Sequence, residues 1–257
     1  MRFLLSALLV LATIGIAHAA PDGEQDQPSS PQVRRPAPDF LFGRPGKSLG
    51  FRGSWVFSRA GSDWYDFVGD QLTIEDGAFN APAFGIELGI SVAPRLEIVI
   101  GSEFSGTTAH SEYRHFVDNN RLPINQVTEL REANIGGSLR FALTPRGREV
   151  GRLAWVPRAL VPYVGAGGGA SWFSLYQHGD FVDFVDLSIF TDAFESSGWA
   201  PSAHVFGGAE IKLHRRVYLT VETRYLWAAG DLGVEWIDFD PIDLAGLRLS
   251  TGVNFTF

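Results

Sequence analysis

The side chains best suited to chemistry in this 257-residue sequence are charged residues set among small or apolar ones. The basic and acidic residues of this set are nearly equal in number. Isolated ions are costly in a low-dielectric interior, so we expect the members to pair in a salt-bridged, hydrogen-bonded network that fills the molecule. The alternative is a gated ion pathway through rearranging pairs. The basic members are Arg52, Arg140, Lys212, Arg224 and Arg248, and the acidic members are Glu87, Glu97, Glu103, Glu132, Glu210 and Glu222.

A second candidate for chemistry is the run His110-Ser111-Glu112. A nucleophile and its base must point at one another, and consecutive residues do not, so the sequence predicts that the protein is not an enzyme. His204 is interpreted as a satisfied interior histidine. The sequence has no Cys, which excludes thiolate metal sites and Cys nucleophiles. We expect no cofactor and no bound metal.

Two segments, 176–199 and 230–243, combine acidic and aromatic side chains without any Lys or Arg. Acidic oxygens are Ca²⁺ ligands, but the three-residue spacing of GDFVDFVDLS lacks the order of a calcium loop, so solvated loops are the simpler interpretation. Apolar clusters on exposed loops usually mark contacts. These aromatic residues are predicted to pack as a loop cap or to bind a surface partner. They are Phe181, Phe184, Phe190, Trp199 and Trp236.

The N-terminal sequence and the net charge indicate where the protein is located and which class of partner is disfavoured. Arg2, the apolar run 3–16 and Ala17-His18-Ala19 predict a cleaved signal peptide over residues 1–19. The alternative, a membrane anchor, needs roughly 17–25 apolar residues. Residues 20–46 are predicted to be a flexible Pro-rich leader, and residues 47–257 one β domain. The formal charge of −8 disfavours a nucleic-acid partner.

The elements that position the charged residues are predicted to be strands, because apolar residues recur at every second position. The clearest case is the C-terminus, where Leu247, Leu249, Val253, Phe255 and Phe257 share one face. We predict eight strands, each near the ~9–11 residues that a tilted strand needs to cross a membrane. After the signal segment, no apolar run is long enough to predict a transmembrane helix.

Three features predict that the apolar face points outward into lipid. Small residues crowd the polar face, as a narrow lumen requires. Aromatic residues cluster at strand ends, as in interfacial girdles. Long connections near 58–80, 105–126, 176–199 and 230–243 alternate with short turns at 93–95 and 214–216. The predicted fold is therefore all-β, an eight-stranded antiparallel up-and-down transmembrane β-barrel.

At this point the segment VPYVGAGGGASW and the closing LSTGVNFTF resemble the small eight-stranded outer-membrane β-barrels, the group of outer membrane protein A barrels and opacity proteins. The resemblance spans roughly residues 47–257. It implies an outer-membrane location reached after signal-peptide cleavage, and it implies that Phe255 and Phe257 form the signal recognised by the barrel assembly machinery. Because the last predicted strand closes the sequence, we expect no periplasmic domain of the kind that some relatives carry after the barrel.

The expected function is a structural or surface-interaction role for a closed barrel with acidic, aromatic loops outside. The alternative is a narrow pore or a conduit for small, hydrophobic molecules, and a third candidate is a lipid-modifying enzyme. We expect a monomer that contacts outer-membrane lipid, the assembly machinery and an unidentified surface partner. The connection 144–159, with four Arg around Trp155, is predicted to extend its hairpin beyond the membrane or to bind anionic headgroups.

Overall fold

The computed structural model describes residues 40–257. The expected signal peptide, 1–19, and the leader up to residue 39 lie outside this range. Within residues 40–257, no helix is both long and apolar enough to span a membrane. The helix is α1 (Asp63–Gln71), with 3-10 turns at Asp76–Phe79 and Val234–Trp236. The strands are β1 (Leu41–Phe42), β2 (Lys47–Ser58), β3 (Ala81–Ser91), β4 (Leu96–Val117), β5 (Pro123–Ala142), β6 (Gly147–Val150), β7 (Ala154–Pro157), β8 (Leu160–Val182), β9 (Ile189–His214), β10 (Val217–Gly230), β11 (Ile242–Asp243) and β12 (Gly246–Thr256).

Eight of these strands close into a barrel in the order β2, β3, β4, β5, β8, β9, β10 and β12. Every pair is antiparallel, and β12 returns to β2 with Leu249 opposite Trp55. Each strand therefore pairs with the barrel strands before and after it in the sequence. The predicted up-and-down transmembrane barrel is confirmed.

The outer face of the barrel is apolar around its whole circumference. Phe51, Ile86, Ile100, Leu139 and Val221 are all about half exposed, although they belong to different strands. Exposed apolar area of this extent is stable only against lipid. Aromatic side chains gather on this face toward the loop end of the strands, meaning the end that carries α1 and the β4–β5 and β8–β9 hairpins: Trp55, Phe57, Phe84, Phe104, Trp172, Trp199, Tyr225 and Trp227.

The barrel has a tall half and a short half, which the sequence did not predict. In the tall half, β8 runs about ten residues past Trp172, or roughly 30 Å along the strand. β9 pairs with β8 along its whole length but with β10 only from Ser202 onward. The expectation of eight strands of membrane-spanning length is therefore wrong for β4, β5, β8 and β9. The predicted long loops 105–126 and 176–199 are mainly paired strands, with tight turns at 118–122 and 183–188.

Strand β5 shows where the surroundings of the tall half change. Its outward residues Ile135 and Leu139 are more than half exposed, whereas farther toward the loop end the outward positions are Glu129 and Arg131. The inward face loses its charged residues over the same stretch. It carries Glu132, Asn134, Ser138 and Arg140 in the lower part, and the uncharged Ile124, Gln126, Thr128 and Leu130 nearer the loop end. The outward change places the lipid boundary near Ala133, level with Phe104 and Trp172.

An apolar core fills the loop end of the barrel. Trp64, Tyr65 and Val68 of α1 are buried against Leu130 of β5 and Phe173 of β8, within one hydrophobic cluster. The fit is close: a Cβ at Gly230 would lie 2.4 Å from a ring carbon of Phe173. The segment 58–80, which the sequence predicted to be a loop, therefore folds into the mouth as a helix and a 3-10 turn.

At the opposite end, called here the termini end, the connection 144–159 forms a hairpin of β6 and β7. Strand β1 adds to it, with Leu41 opposite the buried Trp155. Part of the predicted flexible leader is thus ordered in a three-stranded sheet. Phe255 and Phe257 lie on the outer face at this end and are about half exposed, and the backbone of Phe257 bonds to that of Lys47.

Candidate functional site

The charged residues named from the sequence lie on the inward face of the barrel. Arg140 is their centre, with a side chain only 1% exposed. Its Nη2 lies 2.7 Å from Glu87 Oε1, and its Nη1 lies 3.4 Å from Glu97 Oε2. The guanidinium also lies over the ring of Tyr163, at 4.8 Å. A cation held between two carboxylates and an aromatic face has its charge balanced within the protein.

The other arginines extend the network toward the loop end. Arg52 pairs with Glu87 at 2.8 Å, and Arg224 pairs with Glu222 at 2.8 Å. Arg248 lies 2.9 Å from Glu103 and 3.2 Å from Glu132. Serine hydroxyls complete the coordination of the carboxylates, as Ser54 does for Glu103 at 2.9 Å. All six predicted glutamates have at least one arginine partner.

One member of the network was not recognised from the sequence. Arg146 belongs to the connection at the termini end, yet its guanidinium enters the lumen, 2.7 Å from Glu97 and 3.4 Å from Glu210. Arg146 lies in a segment without alternating apolar and polar residues, so the sequence gave no indication that its side chain points into the lumen. Lys212, which the sequence placed in the network, is half-buried close to the termini end, and its backbone N–H bonds to Ala159 O.

These side chains leave little free space in the middle of the lumen. The cavity beside Arg52, Glu87 and His204 has a volume of about 30 Å³. One ordered water needs roughly 10–15 Å³ by the same measure, so a cavity of this size holds one or two waters and no continuous water column. The His204 ring nitrogen Nε2 lies 2.7 Å from the hydroxyl of Ser138, which gives this histidine an interior partner.

The residues of the His110-Ser111-Glu112 run do not converge. They lie on β4, where His110 and Glu112 are exposed on the outer face and Ser111 is buried on the inner face. The Ser111 hydroxyl lies 3.5 Å from the backbone oxygen of Gln126. Among residues 40–257, no group of three or more His, Asp or Glu side chains is placed to hold a metal ion.

A larger cavity opens at the loop end, between α1, the β8–β9 hairpin and the segment 232–239. Its volume is about 200 Å³, and its walls are mainly aromatic. Phe181 contacts both Phe190 and Phe194, with ring centroids 5.8 and 4.8 Å apart. The ring of Trp236 contacts those of Phe194 and Phe239, with ring centroids 6.1 and 6.0 Å apart. The cavity is thus enclosed by rings in contact with each other.

The floor of this cavity is polar and neutral. Gln177 donates to Gln126 Oε1 at 2.7 Å, and Gln126 donates to the Tyr113 hydroxyl at 3.2 Å. The Tyr113 oxygen also lies 3.4 Å from the backbone N–H of Val182. Because this oxygen accepts two bonds, its own proton remains available to a ligand. The buried indole N–H of Trp236, in the cavity wall, has no hydrogen-bond partner among the described residues.

Four of the five residues predicted as loop contacts meet at this cavity: Phe181, Phe184, Phe190 and Trp236. Phe181 and Trp236 are buried, whereas Phe184 and Phe190 are exposed at the rim. Trp199 is not a loop residue. It lies on β9 directly opposite Trp172, in the outward aromatic belt, with 64% of its surface exposed. The sequence did not indicate Phe67 of α1, whose ring packs 5.4 Å from that of Phe239.

Asp243 fastens the segment after β2 to the barrel wall. Its Oδ2 accepts hydrogen bonds from Arg59 Nε at 2.6 Å and from the Gly61 N–H at 2.9 Å. The hydroxyl of Tyr65 donates to the Asp243 backbone oxygen at 3.1 Å. Burial raises the pKa of Tyr65, so this hydroxyl keeps its proton. These contacts hold the start of α1 in the mouth of the barrel.

Acidic residues at the tip of the β8–β9 hairpin shape its turn. Asp183 Oδ1 accepts from the Val185 N–H at 2.8 Å, and Asp186 Oδ1 accepts from the Ser188 N–H at 2.9 Å. The hydrogen bonds from Ser188 lower the pKa of Asp186. These carboxylates therefore have a local structural role in the turn.

Comparison with known proteins shows likeness in fold alone. Neisserial surface protein A shares 14% identity, with 82% of this chain and 97% of that chain covered and a TM-score of 0.46. OprG of Pseudomonas aeruginosa shares 11%, with 84% and 99% covered and a TM-score of 0.45. The protease OmpT of Escherichia coli shares 8%, with 86% and 99% covered and a TM-score of 0.37. No family model and no curated protein matches the sequence. The molecule is similar to the small outer-membrane β-barrels, as its sequence indicated.

Proposed function

We propose that this outer-membrane barrel is a closed surface receptor that binds a small, largely apolar ligand at its loop end. The observation that carries the proposal is the aromatic cavity of about 200 Å³ above the filled lumen. Its walls supply apolar contact, and the Tyr113 hydroxyl supplies a donor for a polar atom of the ligand. Ligand sites commonly combine apolar walls with a few placed polar groups in this way.

The loop end faces the cell exterior in this proposal, and the termini end faces the periplasm. The charge distribution supports that orientation. Beyond the lipid-facing belt, acidic residues predominate at the loop end, while the termini end carries exposed Arg95, Arg148, Arg152 and Arg158. Cleavage of residues 1–19 during export belongs to the same proposal. The cavity would then be open to molecules arriving from outside the cell.

The lumen network supports a receptor over a pore. An ion crossing the barrel has to pass Arg140 and its carboxylates, and the cavities beside Glu87 and beside Glu97 and Glu210 have volumes of only about 30 Å³ each. Eight-stranded barrels have interiors just wide enough for side chains to fill. A narrow pore remains the competing function, because paired charges can rearrange to let ions pass.

Binding is tested on protein labelled with 5-fluorotryptophan and refolded in detergent micelles. We expect N,N-dimethylbenzamide, a neutral aromatic amide, to shift the ¹⁹F resonance of Trp236, which Trp236→Phe assigns. Trp199 on the outer face is the internal reference. Phe194→Ala should weaken binding at least fivefold, whereas the matched Phe84→Ala on the lipid face should not. A saturable shift of Trp199 alone would contradict the proposal.

Closure is tested by single-channel recording in planar bilayers. The wild-type barrel should be silent, and Glu222→Gln and Arg224→Ala, which disturb the network, serve as comparisons. Stable current steps from the wild-type protein that change in both variants would favour the pore and overturn the closed-barrel part of the proposal. A heat-modifiable band on gels shows that each protein has folded.

A further inference from the structure

The surroundings of the loop-end cavity carry almost only negative charge. Glu235 is the one charged residue in the cavity wall, and it is exposed at the mouth. Exposed Asp66 and Asp70 flank Phe67 on α1, and exposed Asp238 and Asp240 flank Phe239. The hairpin beside the cavity adds Asp180, Asp183, Asp186, Asp192 and Glu195.

Few positive groups offset these carboxylates. Arg114 of β4 belongs to the same end of the barrel, and its Nε donates to the backbone oxygen of Gly69 on α1 at 2.9 Å. Arg121 belongs to the turn between β4 and β5, and His178 lies on the outer face of β8. No Lys or Arg lines the cavity within the described residues.

We propose that the ligand of this cavity is an aromatic or alkyl ammonium cation, an inference that rests on the proposed function. Three features converge on this class. The rings of Phe67, Phe184, Phe190, Phe239 and Trp236 line the space, and the faces of aromatic rings attract ammonium groups. Leu72, Val182 and the Phe rings of the wall contact the apolar part of the ligand, and the floor beneath it carries no charge. Glu235 and the surrounding carboxylates attract its positive end at the mouth.

The geometry gives the ligand a direction. The apolar group enters first and meets Leu72 and Val182, while the ammonium group stays near Glu235, where water still reaches it. One Glu235 oxygen already accepts the Glu195 N–H at 3.2 Å, which fixes the carboxylate and leaves its other oxygen for the cation. An anionic ligand would meet repulsion from every side of the mouth, and a neutral one would gain nothing from these charges.

The test compares three probes of similar size by the Trp236 ¹⁹F titration: benzyltrimethylammonium, N,N-dimethylbenzamide and phenylmethanesulfonate. At 20 mM NaCl we expect the cation to bind about tenfold more tightly than the amide, and the sulfonate more weakly than either. In 1 M NaCl the preference should fall to about two- to threefold, because salt screens exposed carboxylates. Glu235→Gln should reduce the preference for the cation over the amide at least threefold. The matched Glu112→Gln, on the outer face of β4, should have no effect.

The outcomes separate the two proposals. Equal affinity for cation and amide, or a preference unaffected by Glu235→Gln and by salt, would overturn the cation inference and leave the receptor standing. Preference for the sulfonate would overturn the inference as well. Failure of all three probes to shift Trp236 in a correctly folded, heat-modifiable barrel would overturn both proposals.

Discussion

Arg146 Nη2 lies 2.7 Å from Glu97 Oε2, so a side chain from beneath the barrel forms an ion pair inside it. The same guanidinium lies 3.4 Å from Glu210, and both carboxylates are almost fully buried. The hairpin of β6 and β7 is thereby fastened to the termini end of the lumen. The connection 144–159 is part of the closed barrel, and its Arg148, Arg152 and Arg158 are exposed at the termini end.

We therefore expect Arg146→Ala to destabilise the barrel. Breaking a fully buried ion pair costs ~3–5 kcal/mol, and the partly accessible Arg146 should cost somewhat less, roughly 2–3 kcal/mol. The measurement is the urea midpoint of unfolding in detergent micelles. Arg152→Ala, at the exposed tip of the same hairpin, is the matched control and should leave the midpoint unchanged. Equal midpoints for the two variants would show that the ion pair contributes nothing.

Substitution of Gly230 tests the packing of the loop-end core. A Cβ there would lie 2.4 Å from a ring carbon of Phe173, a fully buried residue. Overpacking of this kind costs about 1–3 kcal/mol, so Gly230→Ala should lower the free energy of unfolding by that amount. Because the clash involves one side chain, Phe173→Leu in the same chain should recover part of the loss. Additive effects of the two changes would contradict this account.

The position of the lipid boundary is tested by placing the same charge at two heights on the outer face. Ile100→Arg puts a guanidinium in the apolar belt of β4, at an expected cost of roughly 2–4 kcal/mol near the bilayer midplane. Val127→Arg puts it on the outer face of β5, opposite His110 and His178 and above the aromatic belt, where we expect less than 0.5 kcal/mol. The measurement is folding yield and stability in lipid vesicles. Similar destabilisation by the two substitutions would show that the lipid boundary does not lie between the heights of Ile100 and Val127.

Removal of the Asp243 carboxylate should release the start of α1. Asp243→Ala deletes the acceptor for Arg59 and Gly61, and we expect faster hydrogen exchange and faster proteolysis within 59–80 while the membrane-spanning strands stay protected. Asp186→Ala, at the exposed hairpin tip, is the control and should leave exchange of α1 unchanged. Unaltered protection of α1 in Asp243→Ala would show that the hydrophobic core alone holds the helix.

The membrane-spanning part of the fold was predictable because a two-residue period has a simple physical cause. Successive side chains of a strand point to opposite faces, so Leu88 and Ile90 toward lipid, with Glu87 and Gly89 toward the lumen, are readable from sequence. The charged residues of the lumen network were recognisable from the sequence for the same reason. A glutamate or arginine in the part of a strand that faces lipid has to lie on the inward face, where a partner offsets its desolvation.

The loop end was not predictable in this way, because its structure depends on contacts between distant segments. Trp64 is buried by residues more than a hundred positions away, and nothing in its local sequence gives those partners. The cavity likewise joins Phe67 to Phe184 and Phe239. Acidic residues such as Asp180 and Asp192 suggested loops by composition, although both lie in paired strands. Pairing along a tall hairpin outweighed their poor strand propensity.

Strand β5 passes from lipid into water without a break, and the character of its outward face changes near Ala133. Below that residue the outward side chains are apolar and contact lipid; above it, charged Glu129 and Arg131 point outward and Leu130 points into a buried core. One kind of substitution thus has opposite consequences along a single strand: serine in place of Leu139 exposes a hydroxyl to hydrocarbon, while serine in place of Leu130 opens a hole in a core. The same strand is therefore under selection for contact with lipid over one stretch and with water over the next. The boundary between the two lies within the strand, away from its turns and its ends.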